Sequence, residues 1–115
     1  MMHDWNSYRT ELMSRVGELS KLTPDTLRGL QLMEGAGAKT GKLDPKIHEL
    51  IALAVAVTTR CDGCITFHAK AAVGHGATKE EISEALGVAI SLNAGAAVVY
   101  SARVLDVVAA LPEAK

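Results

Sequence analysis

The sequence predicts an all-α protein, a bundle of five to six helices in a single domain spanning residues 1–115. Three observations lead there. Apolar residues recur three and four positions apart, the period of a helix face rather than of a strand. Cap residues followed by proline or acids introduce several of these runs. No alternating run is joined to another by hairpin turn chemistry. The aromatic residues are only Trp5, Tyr8, Phe67 and Tyr100, so the core has to be built from Ala, Val, Leu and Ile.

The first helix is predicted over Trp5 to Leu22, where Tyr8, Leu12, Met13, Val16 and Leu19 form an apolar face. Thr23-Pro24-Asp25 reads as N-cap, first helical residue and first-turn acid. The helix it opens is expected to run to about Glu34, with Gly35, Gly37 and Gly41 forming a loop. Leu43-Asp44-Pro45 repeats the start signal for a third helix, to about Thr58, carrying Ile47, Leu50, Ile51, Leu53, Ala54 and Val57. Thr58 to Cys61 is a weak helical stretch of β-branched and polar residues. Asp62 is expected to cap a fourth helix reaching about Val73, ended by Gly74-His75-Gly76. Thr78-Lys79-Glu80-Glu81 is a capping box. It opens a helix to about Leu92, and a last helix is expected from about Asn93 to Leu111, with Asn93 and Gly95 marking a break between the two.

Charge and composition narrow the function classes. The net charge is −1 with basic and acidic residues mixed, which leaves no basic stripe for nucleic acid. The N-terminus Met1-Met2-His3-Asp4-Trp5 carries neither the basic region nor the apolar run of an export signal. The apolar stretch from Val88 to Leu111 is long enough for a bilayer, but Ser91, Asn93, Arg103 and Asp106 interrupt it, which favours a buried helix pair over a membrane span. A cytoplasmic location is expected. The small side chains bury little area each, so burial is expected to be completed by homo-oligomerisation.

The chemistry-bearing segment is Cys61-Asp62-Gly63-Cys64, which holds the only two cysteines of the chain. Two intervening residues let the thiols close into a small reducible disulfide. The following residue is Ile65, not His, which excludes the haem-attachment form. A start to the helix at Asp62 puts Cys64 in the first turn, where the positive end of the helix dipole favours a thiolate. His68 lies four residues beyond Cys64, on the same face, where an imidazole can exchange a thiol proton. Glu49 sits among apolar neighbours in the preceding helix. It reads either as a solvated first-turn acid or as a partly buried proton acceptor. Cys61, Cys64, His68 and His75 are also a donor set that suits zinc, although a single helix cannot easily wrap a tetrahedron. A helical interaction module with the cysteines as redox sensor is a further alternative. A thioredoxin-type enzyme is disfavoured because no βαβ pattern surrounds the motif.

The run Glu49, eleven residues, Cys61, two residues, Cys64, three residues, His68 resembles the signature of the AhpD-like branch of the carboxymuconolactone decarboxylase superfamily. The likeness extends from Pro45 through the Gly74-His75-Gly76-Ala77-Thr78 turn into the following helix. It implies an all-α fold assembled into trimers, hexamers or related homo-oligomers. It implies a thiol-dependent peroxidase and disulfide oxidoreductase of antioxidant defence, with no cofactor and no metal. In that mechanism Cys64 attacks a hydroperoxide and becomes a sulfenic acid. Cys61 supplies a proton and then closes the Cys61–Cys64 disulfide, and Glu49 and His68 relay protons. A thiol reductant or partner protein, undefined by the sequence, would reopen the disulfide. Two departures stand out. Gly63 occupies the place where well-known members carry a His, so that a water or His48 would have to substitute. The chain also has room for one copy of a helical unit that larger members carry twice, for which a homodimer is the natural replacement. The decarboxylase members lack the cysteine pair, which argues against lactone decarboxylation.

Overall fold

Residues 1–113 are described by a computed structural model, and they form five α-helices: α1 Trp5–Leu22, α2 Pro24–Thr40, α3 Pro45–Thr59, α4 Asp62–Gly74 and α5 Lys79–Ala110. No strand occurs among the described residues. Local caps explain most of the starts. The Asp4 carboxylate accepts from the Ser7 amide at 3.1 Å, and the Asp44 carboxylate from the Lys46 amide at 2.9 Å. Pro24 and Pro45 open α2 and α3, where the missing N–H has no helical partner to lose. The α5 capping box is complete: the Glu81 amide donates to Thr78 Oγ1 at 3.0 Å, and the Thr78 amide to Glu81 Oε1 at 2.9 Å.

Three boundaries differ from the sequence expectation. α2 continues through Gly35 and Gly37 to Thr40 and ends on Gly41, the glycine with φ of 65°. Gly37 has a packing role instead of a turn role. A Cβ there would meet the His48 ring at 2.9 Å, so the missing side chain admits that imidazole. α5 has no break at Asn93 or Gly95. The Asn93 side-chain amide donates to Thr58 Oγ1 at 2.8 Å and to the Ala89 carbonyl at 2.7 Å, which makes it a tie between α5 and α3. The described residues therefore form five helices, not six. The start of α4 also shifts, because Cys61 and not Asp62 is the N-cap.

α3 is the central helix, packed on α4 on one side and on the first half of α5 on the other; α1 lies against α2 and α4. The buried centre is made of Leu53, Ala72 and Ala77, flanked by Leu50, Ala69 and Ile82, with Ala56 and Ala89 also buried. The methyl side chains of Ala56, Ala72, Ala77 and Ala89 among them let the helix backbones approach closely. The α3–α4 reversal takes two residues. Arg60 adopts the left-handed conformation at φ 56°, and the Cys61 amide donates back to the Ala56 carbonyl at 3.1 Å. Along α5 every residue from Ile90 onward is exposed, and by length and composition this helix is apolar enough to cross a membrane.

Lys46 in the first turn of α3 and Glu81 in the first turn of α5 form a 2.8 Å ion pair that locks the two helices in register. Lys46 and the Thr78 amide lower the Glu81 pKa below 4.5, and Glu81 raises that of Lys46 above 10.5. A depressed acid stabilises the fold above its unfolded pKa and loses that contribution as pH falls through the lowered value; a raised base loses its contribution as pH climbs through the raised one. Thermal melts against pH are expected to be flatter for Glu81→Gln than for wild type, both below pH 4.5 and above pH 10.5. The glutamine keeps the cap acceptor for Thr78, so equal pH profiles would show that the pair contributes nothing to stability.

Candidate active site

The candidate site forms where α4 begins. Cys61 is extended, with φ −101° and ψ 99°, and its Sγ accepts from the Cys64 amide at 3.1 Å. That is the ordinary N-cap hydrogen bond with sulfur in place of oxygen. Cys64 is the third residue of α4, in the first turn as the sequence suggested, although the cap is one residue earlier than expected. The two cysteines are joined as a disulfide with their Cα atoms 5.2 Å apart.

One turn further along α4, His68 Nδ1 lies 2.6 Å from Glu49 Oε2 of α3. With the carboxylate as acceptor, Nδ1 carries the proton and Nε2 is the free nitrogen. The Glu49 side chain is 19% exposed and that of His68 41%. Of the two readings open for Glu49, the structure selects the partly buried, partnered acid. It does so because the short α3–α4 reversal runs the two helices back along each other. The four residues singled out from sequence, Glu49, Cys61, Cys64 and His68, thus lie on one α3–α4 pair. His48 faces α2 at Gly37. His75 is at the opposite end of α4, as its C-cap. Among the described residues no three His, Cys, Asp or Glu side chains converge to hold a metal ion, and the sequence-level zinc set is not assembled.

α1 supplies what sequence reasoning missed. Leu12 reaches over the motif, and a Cβ on Gly63 would stand 2.7 Å from Leu12 Cδ2. His3 Nε2 is 3.6 Å from the Asp62 carboxylate, and its ring packs edge-on against Trp5 with centroids 4.8 Å apart. The Arg9 guanidinium donates to buried Thr66 Oγ1 at 2.7 Å and also to Asn6. The one available signal was composition, since two of the few aromatics, Trp5 and Tyr8, fall in this helix.

The carboxymuconolactone decarboxylase family model matches residues 24–107. An uncharacterized protein of Haemophilus influenzae is 48% identical over 106 residues, covering 92% of this chain and 94% of its own. One from Cupriavidus necator is 32% identical over 91% of this chain and 93% of its own. Among solved structures, the apo form of a carboxymuconolactone decarboxylase family protein from Legionella pneumophila superposes with a TM-score of 0.71 at 34% identity, covering 89% of this chain and 91% of the other. α1 lies outside the range matched by the family model, although it contacts the cysteine motif.

The Leu12–Gly63 approach yields a testable coupling. Gly63→Ala is expected to cost about 1 kcal/mol, at the low end for overpacking, because Leu12 Cδ2 is the free end of a flexible side chain and can swing away. In a Leu12→Ala background the clash is gone and the same substitution is expected to stabilise by up to about 1 kcal/mol, the helix preference of alanine over glycine. Denaturant titrations of the four proteins measure the cycle; a zero coupling energy would mean that α1 does not rest on the motif.

Proposed function

The chain belongs to the carboxymuconolactone decarboxylase family, and from that footing we propose that it is a thiol-dependent peroxidase of the AhpD-like branch. The observation that carries the reading is the pairing of a Cys61–Cys64 disulfide at the start of α4 with a Glu49–His68 couple one turn further on. A bare structural disulfide needs no such couple beside it.

In the reduced protein the Cys64 thiolate attacks a peroxide oxygen. The O–O bond breaks, Cys64 becomes a sulfenic acid, and the alkoxide leaves as an alcohol with a proton from the His68–Glu49 couple. The Cys61 thiol then gives up its proton and its sulfur attacks the Cys64 sulfenic sulfur. The S–O bond breaks, hydroxide takes a proton and leaves as water, and the Cys61–Cys64 disulfide is formed. An external dithiol returns two electrons by thiol–disulfide exchange and restores both thiols. On this reading the oxidised Cys61–Cys64 pair is the state that precedes reduction by the dithiol. Glu49 holds the His68 ring through Nδ1 and keeps Nε2 available for the proton, which is the division of roles expected of an oriented base. Leu12 occupies the space above Gly63, so the relay on this reading consists of Glu49 and His68. On this reading the dithiol is drawn from a cytoplasmic pool, and the activity belongs to antioxidant defence.

Consumption of cumene hydroperoxide with dithiothreitol as reductant tests the reading. Wild type is expected to turn over many times and Cys64→Ser not at all. Glu49→Gln keeps size and hydrogen bonding but cannot take a proton, and is expected to lower the rate about 10²–10⁴-fold with an unchanged fold. Full activity of Glu49→Gln would return Glu49 to a structural role.

The two sulfurs are separated by alkylation. Cys64 lies in the first turn of α4, on the same face as His68. Cys64 is expected to react faster with iodoacetamide at neutral pH, with its rate rising at a pH below the value of about 8.5 for a free thiol. The comparison uses reduced Cys61→Ser and Cys64→Ser proteins; faster reaction of Cys61 would reverse the assignment of attacking and resolving thiol.

A further inference from the structure

The face of α4 turned towards α1 takes no part in the cysteine chemistry. Ile65, Ala69 and Val73 recur there every fourth residue, about a quarter turn round the helix from Cys64 and His68. With Trp5 of α1 they line an apolar groove of about 490 Å³, a size that suits a small molecule. From Ile65 to Val73 the groove runs about 12 Å, at 1.5 Å per residue. Val73 is 64% exposed, so the far end stands open.

The charges at the groove are all of one sign. Arg9 enters it from α1 and Lys70 stands on α4; Arg9 is half-buried and Lys70 exposed. The Arg9 guanidinium donates to Thr66 Oγ1 and to Asn6 Oδ1. Both are neutral oxygens, and most of its N–H donors are left over. Among the described residues no carboxylate lies within ion-pair distance of either cation. The Asp4 carboxylate accepts from the Ser7 amide, and that of Asp62 faces His3. A guanidinium partly withdrawn from water without a counter-charge has lost hydration and gained no ion pair. Its planar fork fits a carboxylate.

We propose that the α1–α4 groove binds an amphipathic carboxylate, a single alkyl chain with an acid at one end. Arg9 holds the carboxylate, Lys70 adds its charge from the rim, and the chain lies along Ile65, Ala69 and Val73 against Trp5. Lining and charge together select this ligand. An alcohol of the same length would leave Arg9 without a counter-charge, and a small anion would leave the apolar wall in water. No residue of α1 is buried within the chain, so a ligand that bridges the two helices also fastens α1 to α4. The site stands apart from the peroxidase reading, since neither cysteine, nor His68, nor Glu49 lines it. Its α1 half, Trp5 and Arg9, falls outside residues 24–107, the range matched by the family model.

Trp5 is the only tryptophan of the chain, so its fluorescence reports on the groove. Octanoate, titrated into the full chain below its micellar concentration, is expected to change that emission saturably. Octanol and acetate, the tail and the head alone, are expected to bind at least about tenfold more weakly. Arg9→Gln removes the charge and is expected to weaken octanoate at least about tenfold, with little effect on octanol. Because Arg9 also ties α1 to α4, Lys70→Glu serves as a second variant. That side chain is exposed, and the reversed charge is expected to weaken octanoate about threefold while octanol binding stays unchanged. Four outcomes would each overturn the proposal: equal binding of octanol and octanoate, indifference of octanoate to both variants, tighter binding of an oligoglutamate peptide, or a Trp5 emission that shifts with protein concentration before octanoate is added, the mark of a second copy in the groove.

Discussion

The tight reversal between α3 and α4 is the constraint on which the rest of the molecule depends. Arg60 takes a left-handed backbone conformation, and the Cys61 amide turns back onto the Ala56 carbonyl. A non-glycine residue in that region costs about 1 kcal/mol or more, which packing of α3 on α4 has to offset. The offset comes from Leu53, Ala56 and Ala72, each almost fully buried. Once the helices run back along each other at that separation, Glu49 of α3 stands opposite His68 of α4. The same reversal leaves Cys61 extended, so that its sulfur caps α4. The carboxylate–imidazole couple and the sulfur cap are thus two results of one turn.

The second constraint is the absence of side chains at chosen points. Gly37 admits the His48 ring between α2 and α3, and Gly63 admits Leu12 over the cysteine motif. In each case a glycine inside a helix sacrifices propensity for a close approach between elements. At Gly63 the approach fastens α1 onto the site, assisted by the Arg9 bond to Thr66 and by His3 beside Asp62. α1 therefore shapes the surroundings of the disulfide even though none of its residues was singled out by motif.

The fold is economical in its interior and lavish at its surface. Alanines and valines allow close helix contacts but remove little apolar area from water per residue, and most large apolar side chains of α5 remain exposed. This distribution explains why a chain with 49% hydrophobic residues has so few fully covered ones. Within this chain the apolar side chains of the second half of α5 stay uncovered.

Much was legible in the sequence because it was written in local chemistry. Asp4, Asp44 and Thr78 cap helices through bonds to amides two or three residues away, and proline placement depends only on its own missing donor. The Thr23-Pro24, Asp44-Pro45 and Thr78–Glu81 signals located the starts of α2, α3 and α5, and the apolar period placed α1 and gave the all-α class; the Asp4 cap went unread. The tertiary structure decided what depends on residues distant in the chain. It carried α2 past two glycines because His48 needs the space at one of them, and it kept α5 unbroken because Asn93 bonds to Thr58 on another helix. It partnered Glu49 with His68 and laid α1 over Gly63. No window of neighbouring residues contains those contacts, since a side chain's local pattern records its own helix and not the helix that will press against it.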